Sequence, residues 1–284
     1  MWKWLTVLLL AGNIAFAADP CVKTFDFKEG QLTAIQDAPG GMPLSIFHGG
    51  KPAVMKRLVP DGKVPSSFNV FLIQRNGKRI LIDAGNGGRK GSLVRRLRSL
   101  GIAPEEIDAV LLTHMHGDHI GGLLTSDNKA AFPRAAIYVS EPERGYWSKQ
   151  KNAALAQKVL RIYRKRFHVF PRNSSVLEGI SARDAAGHTP GHTVFALGNI
   201  RFIGDVIHGA ALQFPNPAIC AVYDMDRGEA VAVRRKVLEE AAENREIIAG
   251  GHLPYPGIGT VRKNADGSME FLPLGAASGE TGEK

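Results

Sequence analysis

The fold and the chemistry of this chain are both indicated by residues 111–120, which read Leu-Leu-Thr-His-Met-His-Gly-Asp-His-Ile. This stretch places His114, His116, Asp118 and His119 within six residues. If the backbone is extended, His114 and His116 point the same way and can bind one metal ion. A carboxylate and an imidazole on the turn that follows can bind a second ion a few ångströms away. The spacing therefore predicts the metal centre of a two-metal hydrolase.

The residues around this stretch place it at the end of a strand. The segment from Ile107 to Leu112 is mostly apolar, as in a buried strand, and glycines follow at positions 117, 121 and 122. Functional sites commonly lie where such strands end. A histidine-rich loop or a hydrogen-bonded structural cluster is the alternative interpretation, and the strand-to-loop context favours the metal site.

The N-terminal residues have the pattern of a secretory leader. The chain has 284 residues, 44% hydrophobic and 22% charged, which is enough for a full core. Residues 1–17 contain a lysine at position 3, which is followed by an apolar run. They end with Ala-Phe-Ala, the form of a signal-peptidase site. This run is shorter than the ~20 residues that span a membrane. We therefore expect a cleaved signal peptide at 1–17, a single domain at 18–274 and a loose tail at 275–284. The protein is expected to be secreted or periplasmic, without a stable membrane anchor.

The chain has a formal charge of +9, and its basic residues are spread along the sequence with one denser run that has a simple structural explanation. Basic residues are densest from Lys149 to Arg166, where apolar residues from Ala154 to Phe167 recur at helical spacing. The basic side chains fall on the opposite side, so we expect a solvated helix face rather than a binding patch. Because an exported protein seldom meets nucleic acid, no nucleic-acid partner is predicted.

Further candidate ligands follow strand-like runs elsewhere in the chain. His192 lies in the segment Gly-His-Thr-Pro-Gly-His-Thr at 187–193, Asp205 ends the run Phe-Ile-Gly-Asp, and His252 follows two glycines. Cys21 and Cys220 stand outside metal-binding spacings, and whether they pair stays open. If the strand ends converge, one ion is bound by His114, His116 and His192, the other by Asp118, His119 and His252, and Asp205 bridges both.

In their order, five motifs resemble those of the metallo-β-lactamase superfamily. They are Leu-Ile-Asp-Ala-Gly around Asp83, the HxHxDH run, Thr-Pro-Gly-His-Thr, the Gly-Asp ending at Asp205 and the Gly-His ending at His252. The resemblance covers roughly residues 68–272 and implies an α+β fold, an αββα sandwich of two mixed sheets flanked by helices. It implies that Asp83 supports the site without binding metal, which suits the need of metal-bound imidazoles for an acceptor. His188 and His208 are expected to support the site or to be structural, and a homodimer is implied only by the resemblance.

Finer features indicate a branch of this superfamily. Asp205 argues against the antibiotic-degrading class B enzymes and points toward lactonase, glyoxalase II and phosphotriesterase relatives. The segments that follow Asp205 and His252 look most like methyl parathion hydrolase and its exported lactone- or aryl-ester-cleaving relatives. His208 stands where acyl-homoserine lactonases carry a tyrosine, and this departure counts against hydrolysis of signal lactones as the specialised role.

The expected function is that of a dinuclear hydrolase that cleaves lactones or aryl esters with a metal-bridging hydroxide. Asp118 or Asp205 is expected to orient the nucleophile and pass on its proton. Zinc is the default metal because imidazole and carboxylate ligands suit it, and manganese, iron and cobalt accept the same donors. No other cofactor is predicted.

Other functions remain as alternatives. They are a phosphotriesterase of the methyl parathion hydrolase type, a β-lactamase, a glyoxalase II-like thioesterase and a non-catalytic metal-binding protein. The leader disfavours a nuclease, and the full two-ion ligand set disfavours a thiol-processing oxygenase with one iron. The expected partner is a small ester, lactone or phosphotriester. Candidates for an apolar pocket wall are Phe68, Phe132, Trp147 and Phe214, although aromatic residues are more often part of a core.

Overall fold

The structure, a computed structural model, describes residues 19–275. The expected signal peptide and all but the first residue of the expected tail lie outside the described residues, so both stay predictions. Within the described range, no helix combines the length and the apolar character needed to cross a membrane.

Strands dominate the regular structure of the described residues. The strands are β1 Val22–Phe27, β2 Gly30–Pro39, β3 Met42–Pro43, β4 Phe47–His48, β5 Lys63–Val64, β6 Ser67–Arg75, β7 Lys78–Ile82, β8 Ala109–Leu111, β9 Ala136–Ser140, β10 Phe167–Phe170, β11 Ser175–Leu177, β12 Ile180–Asp184, β13 Thr193–Leu197, β14 Ile200–Gly204, β15 Cys220–Ala221, β16 Ile247–Gly250, β17 Ile258–Lys263 and β18 Met269–Pro273. The α-helices are α1 Pro52–Leu58, α2 Leu93–Ser99, α3 Gly117–Ile120, α4 Glu141–Lys149, α5 Ala154–Ile162, α6 Ala210–Gln213 and α7 Arg227–Glu243.

Two sheets of seven strands each form the framework. The first has the order β1-β2-β6-β7-β8-β9-β10 and the second β11-β12-β13-β14-β16-β17-β18. The strands β7 to β10 run parallel to one another, as do β14 and β16, whereas the other neighbours are antiparallel. Both sheets are therefore mixed, as expected from the sequence.

The sheets pack face to face through one apolar layer. Phe71 and Ile82 of the first sheet meet Phe195 and Phe202 of the second in this layer, and all four side chains are buried. Helices α2 and α5 cover the outer face of the first sheet, and α7 covers the outer face of the second. Burial of both faces of each sheet explains the αββα sandwich, and the predicted fold class is confirmed.

The chain turns between β6 and β7 at an Asn-Gly pair. Asn76 and Gly77 form the turn between β6 and β7 with positive φ values of 47° and 71°, the conformation that an Asn-Gly hairpin turn requires. One boundary was wrong, because α5 ends at Ile162 and Phe167 belongs to β10. Phe167 packs into the same outer core as α5, so its apolar character fitted either element. Cys21 and Cys220 are both free.

Several strand ends lie at one edge of the sandwich and carry the candidate site. The strands β7 and β8 end there in the first sheet, and β12, β14 and β16 end there in the second. Two backbone hydrogen bonds tie the sheets together at this edge: Thr193 donates its N–H to the Thr113 carbonyl at 2.9 Å, and Asn69 donates its N–H to the Gly251 carbonyl at 2.8 Å. The loops that follow these strands are therefore held close together.

Gly122 allows the histidine segment to pack closely against the end of β7. A Cβ atom at this position would lie 1.9 Å from the carbonyl oxygen of Ala84. Because that oxygen belongs to the backbone, Gly122→Ala is expected to lower the free energy of unfolding by about 3 kcal/mol, the upper range for overpacking. Urea unfolding measures this change.

The control is Gly145→Ala in α4, where an added Cβ meets nothing within 4 Å. This substitution is expected to raise the free energy of unfolding by about 0.5–1 kcal/mol, since alanine is the better helix former. Equal stability of Gly122→Ala and the wild type would contradict the close approach.

Candidate metal centre

Three imidazoles and a carboxylate form the first group of candidate ligands. His114, His116, His188 and Asp205 present donor atoms that all lie within 4.8 Å of one another. The Nε2 atom of His114 is 3.1 Å from His116 Nδ1 and 3.2 Å from His188 Nε2. His188 Nε2 is 3.3 Å from Asp205 Oδ2. The donors face a common point, as the ligands of one cation do.

The second group contains two carboxylates and two imidazoles. It consists of Asp118, His119, Asp205 and His252. His119 Nε2 lies 3.0 Å from Asp205 Oδ1, and His252 Nε2 lies 3.3 Å from Asp118 Oδ2 and 3.1 Å from Asp205 Oδ2. Asp205 belongs to both groups, which is the position predicted for a bridging carboxylate.

The sequence predicts His192 as a metal ligand and His188 as a supporting residue, but the structure places His188 in the first group. The Asp205 backbone N–H donates a hydrogen bond to His192 Nε2 at 3.0 Å, and the His192 ring is buried. That bond uses the lone pair with which the imidazole would bind metal. His192 therefore orients the backbone of Asp205, and His188 is the third imidazole of the first group.

Several buried polar atoms of the site have no hydrogen-bond partner. They include His119 Nε2, Asp205 Oδ1 and both ring nitrogens of His208. His119 Nε2 and Asp205 Oδ1 are 3.0 Å apart without the alignment of a hydrogen bond. Such atoms are costly to bury, and a cation between them would satisfy them. Imidazole nitrogen and carboxylate oxygen are suitable ligands of zinc and similar divalent ions. The residues present fit divalent cations at both groups.

Two further carboxylates orient the imidazoles from behind. Asp83 accepts hydrogen bonds from His119 Nδ1 and from the Thr113 hydroxyl, each at 2.8 Å. Asp224 lies 3.0 Å from His188 Nδ1 and also accepts a hydrogen bond from the buried guanidinium of Arg234 at 3.1 Å. Because these bonds engage the Nδ1 atoms, both rings present their Nε2 atoms to the candidate ligand groups.

His208 lies beside the shared carboxylate and outside both groups. Its Nε2 is 3.4 Å from Asp205 Oδ2, and its side chain is buried. A third cluster brings His208 near His188 and Asp224. The Tyr223 ring lies 6.0 Å from the His208 ring, on the side of the cavity.

The two groups carry different charge when no cation is bound. Burial, followed in effect by the neighbouring His188, lowers the pKa of His116 to about 3. Burial also disfavours a charged His252, but Asp205 and Asp118 outweigh it and raise the pKa of His252 to about 10. Burial opposes ionisation of Asp205, whereas His119 and His252 hold its pKa well below the ordinary value. A cation that binds the second group must therefore displace a proton.

A cavity of about 480 Å³ opens onto the ligand groups. The residues that line it are Gly41, Met42, Pro43, Phe68, Asn86, His116, Gly117, Asp118, His188, Asp205, Tyr223 and His252. Of the aromatic candidates, Phe68 lines this cavity and Trp147 packs edge-on against His116 with ring centres 5.5 Å apart. Phe132 and Phe214 are core residues.

Sequence reasoning missed several residues of this site. Met42, Pro43 and Tyr223 line the cavity from segments without a motif, and Asp224 reaches His188 from the loop before α7. Tyr223 is 49% exposed, which is unusual for a large side chain and would have marked it as a candidate. This exposure cannot be read from the sequence, because it depends on the folded chain.

Comparisons with known proteins agree with this architecture. The crystal structure of hydrolase AbOPH in the beta lactamase superfamily matches with a TM-score of 0.82 and 30% identity over 89% of this chain and 97% of that chain. AidC, a dizinc quorum-quenching lactonase solved with the product N-hexnoyl-L-homoserine, matches with a TM-score of 0.79 and 28% identity over 90% of this chain and 98% of that chain.

A curated relative matches over a short segment. Ribonuclease Z of Methanopyrus kandleri is 42% identical over 74 residues, 25% of this chain and 25% of that protein.

The family model described as "Metallo-beta-lactamase superfamily" matches residues 65–252, most of the described sequence. The chain therefore belongs to the metallo-β-lactamase superfamily.

Proposed function

We propose that this protein is a hydrolase with two divalent metal ions, zinc by default, that cleaves lactones or aryl esters without net charge. The superfamily, the two ligand groups and the likeness to a dizinc lactonase support a metal-dependent hydrolase. Within the superfamily, we assign it to the branch of methyl parathion hydrolase and the exported lactonases and arylesterases. The expected signal peptide would place the enzyme outside the cytoplasm.

The side chains that line the cavity are the observation from which we infer the class of substrate. Among the described residues that line it there is neither arginine nor lysine. Met42, Pro43, Phe68 and Tyr223 instead give it an apolar wall. A carboxylate or phosphodiester on a substrate would leave water for a cavity in which no described arginine or lysine can pair with it, which is costly. The lining therefore favours neutral esters and lactones with apolar substituents.

The residues of the chain divide the work of hydrolysis. Bound divalent ions lower the pKa of coordinated water to about 7 and polarise a carbonyl or phosphoryl oxygen. His114, His116 and His188 would hold one ion, Asp118, His119 and His252 the other, and Asp205 would contribute to both.

Asp118 is the carboxylate better placed to move a proton. Its side chain is 26% exposed and borders the cavity, whereas the side chain of Asp205 is only 3% exposed. Burial disfavours ionisation of Asp118, but His119 and His252 hold its pKa below the ordinary value, so it is a carboxylate at neutral pH. Its position on the cavity would let it orient attacking water, accept its proton and return that proton to the leaving group.

A phosphotriesterase is the second candidate, because a phosphotriester is also neutral and the cavity admits it. β-Lactams, glutathione thioesters and nucleic acids carry negative charge, which the cavity lining disfavours. A non-catalytic metal-binding protein would hold the ions and cleave none of these compounds.

Comparison of substrates tests the proposed function. The purified protein, loaded with zinc, is assayed against acyl lactones, nitrophenyl esters, a phosphotriester, a phosphodiester and a β-lactam. We expect kcat/KM for a lactone or an aryl ester to exceed the others at least tenfold, loss of activity on chelation, and recovery on return of the metal. Turnover that survives complete removal of metal, or a preference for the anionic substrates, would contradict the proposal.

Removal of one candidate ligand tests the two-ion assignment. His116→Ala removes one of the four donors of the first group, so it is expected to weaken binding of the first ion, to lower metal occupancy below two ions per chain and to abolish turnover. Metal analysis and circular dichroism measure occupancy and folding. His168→Ala, at an exposed histidine on β10, is the control and should retain two ions. Full activity of His116→Ala would refute its role.

Asp224 is expected to set the metal affinity of His188. Asp224→Asn removes the negative charge that orients the His188 ring and should weaken metal binding by about 10–100-fold, as loss of such partners usually does. Competition with a chelator measures the affinity. Asp184→Asn, in a partly exposed pair with Arg172, serves as the control and should bind metal as tightly as the wild type. Unchanged affinity in both variants would show that Asp224 does not act through His188.

A further inference from the structure

Glu143 in α4 is a buried carboxylate that belongs to neither ligand group. Its exposed fraction is 0%, and burial raises its pKa above the ordinary value. Its Oε1 accepts hydrogen bonds from the Met115 backbone N–H at 2.8 Å and from Trp147 Nε1 at 2.7 Å. Its Oε2 accepts from the Thr189 hydroxyl at 2.8 Å and from the Gly191 backbone N–H at 3.0 Å. Four donors, none of them cationic, thus satisfy this carboxylate.

Three of these four donors come from the two loops that carry the first ligand group, and the fourth, Trp147, belongs to α4 itself. Met115 lies between His114 and His116 in the loop after β8 of the first sheet. Thr189 follows His188 in the loop before β13 of the second sheet. One side chain therefore connects the loops of all three imidazoles across the two sheets.

Helix α4 approaches the second of these loops very closely. A Cβ atom on Gly191 would lie 2.1 Å from the Glu143 backbone nitrogen, and the Ser140 hydroxyl donates to the Gly191 carbonyl at 2.6 Å. The first turn of α4 is therefore fixed against the loop, and Glu143 cannot shift without moving it.

Glu143 also holds one wall of the His116 ring. Trp147 lies one turn further along α4, and its indole N–H is the donor to Glu143 Oε1. The indole packs edge-on against His116, with ring centres 5.5 Å apart. Loss of the carboxylate would release both the Met115 backbone and this indole.

We propose that Glu143 is a positioning residue that sets the affinity of the first ligand group for its cation. This inference rests on the proposed two-ion site. The second group has its own support, because Asp83 contacts His119 and none of the four donors to Glu143 belongs to Asp118, His119 or His252. Loss of Glu143 therefore weakens the binding of the cation in the first group and leaves the binding of the other cation unchanged.

Cobalt titration of the metal-free protein tests this selectivity. Glu143→Gln keeps the shape of the side chain but turns an amide donor toward the Gly191 N–H or the Met115 N–H. The visible absorption of bound cobalt should show that one of two ions binds about 10–100-fold more weakly, the usual effect of losing a supporting partner, and that the other binds as in the wild type.

The matched control is Asp37→Asn on β2. Asp37 is a buried carboxylate that accepts four hydrogen bonds, from the backbone of Asn86, Ser92 and Leu93 and from the Asn86 amide, and it contacts no candidate ligand. Its substitution should lower the free energy of unfolding and leave both cobalt affinities unchanged.

Thr189→Val is a milder second variant if Glu143→Gln does not fold. It removes one hydroxyl donor from Glu143 and should weaken the same cobalt ion by a smaller factor. Equal weakening of both ions, or loss of stability with both affinities intact, would overturn the positioning role. A wild-type protein that binds no cobalt would overturn the proposed metal site itself, and this inference with it.

Discussion

The carboxylate of Asp205 lies in the interior with five imidazoles around it. Its oxygens are 3.0–3.7 Å from ring nitrogens of His114, His119, His188, His208 and His252. An isolated buried carboxylate is unstable unless positive charge or donors compensate it. No arginine or lysine of the described chain forms an ion pair with it, so compensation must come from protonated imidazoles or from cations. The loops at this edge of the sandwich bring the rings together around the carboxylate, and close backbone contacts at Gly122 and Gly191 hold two of these loops in place.

Further charged groups lie behind the imidazoles that surround Asp205. Asp83 supports His119, and Asp224 supports His188. Asp224 is itself paired with Arg234 on α7, whose buried guanidinium also donates to the carbonyls of residues 206, 217 and 219. A buried arginine that loses its partner is strongly destabilising, so this outer pair ties the stability of the second sheet and its covering helix to the orientation of one imidazole. The helices of the sandwich therefore fix the site as well as cover the sheets.

The sequence predicted those parts of the site whose geometry is local. Residues 114–119 share one short segment, and Asp83, Asp205 and His252 each follow a recognisable strand, so their convergence could be expected. His188 and His192 could not be told apart, because they lie four residues apart in one loop and the path of the backbone through Gly187, with a φ of 132°, decides which ring faces the ligands. Asp224 had no motif. Glu143 stands three residues after Ser140, the spacing of a capping box at the start of a helix. This common pattern is enough to explain a glutamate at this position, so the sequence does not indicate its contacts with two distant loops.

The distribution of charge, rather than its total, bears on the substrate. The chain has a formal charge of +9, and its exposed basic residues, such as Arg161 in α5 and Lys165 in the turn that follows, would attract anions in general. Among the described residues that line the cavity there is no arginine or lysine, and every histidine and carboxylate is a candidate ligand. An anionic substituent on a substrate would have to find its counter-charge at the cations themselves, in competition with Asp118 and Asp205. Under the proposed function, a neutral ester would meet no such competition, because its carbonyl oxygen could approach bound cations while its apolar part packs against Phe68 and Tyr223.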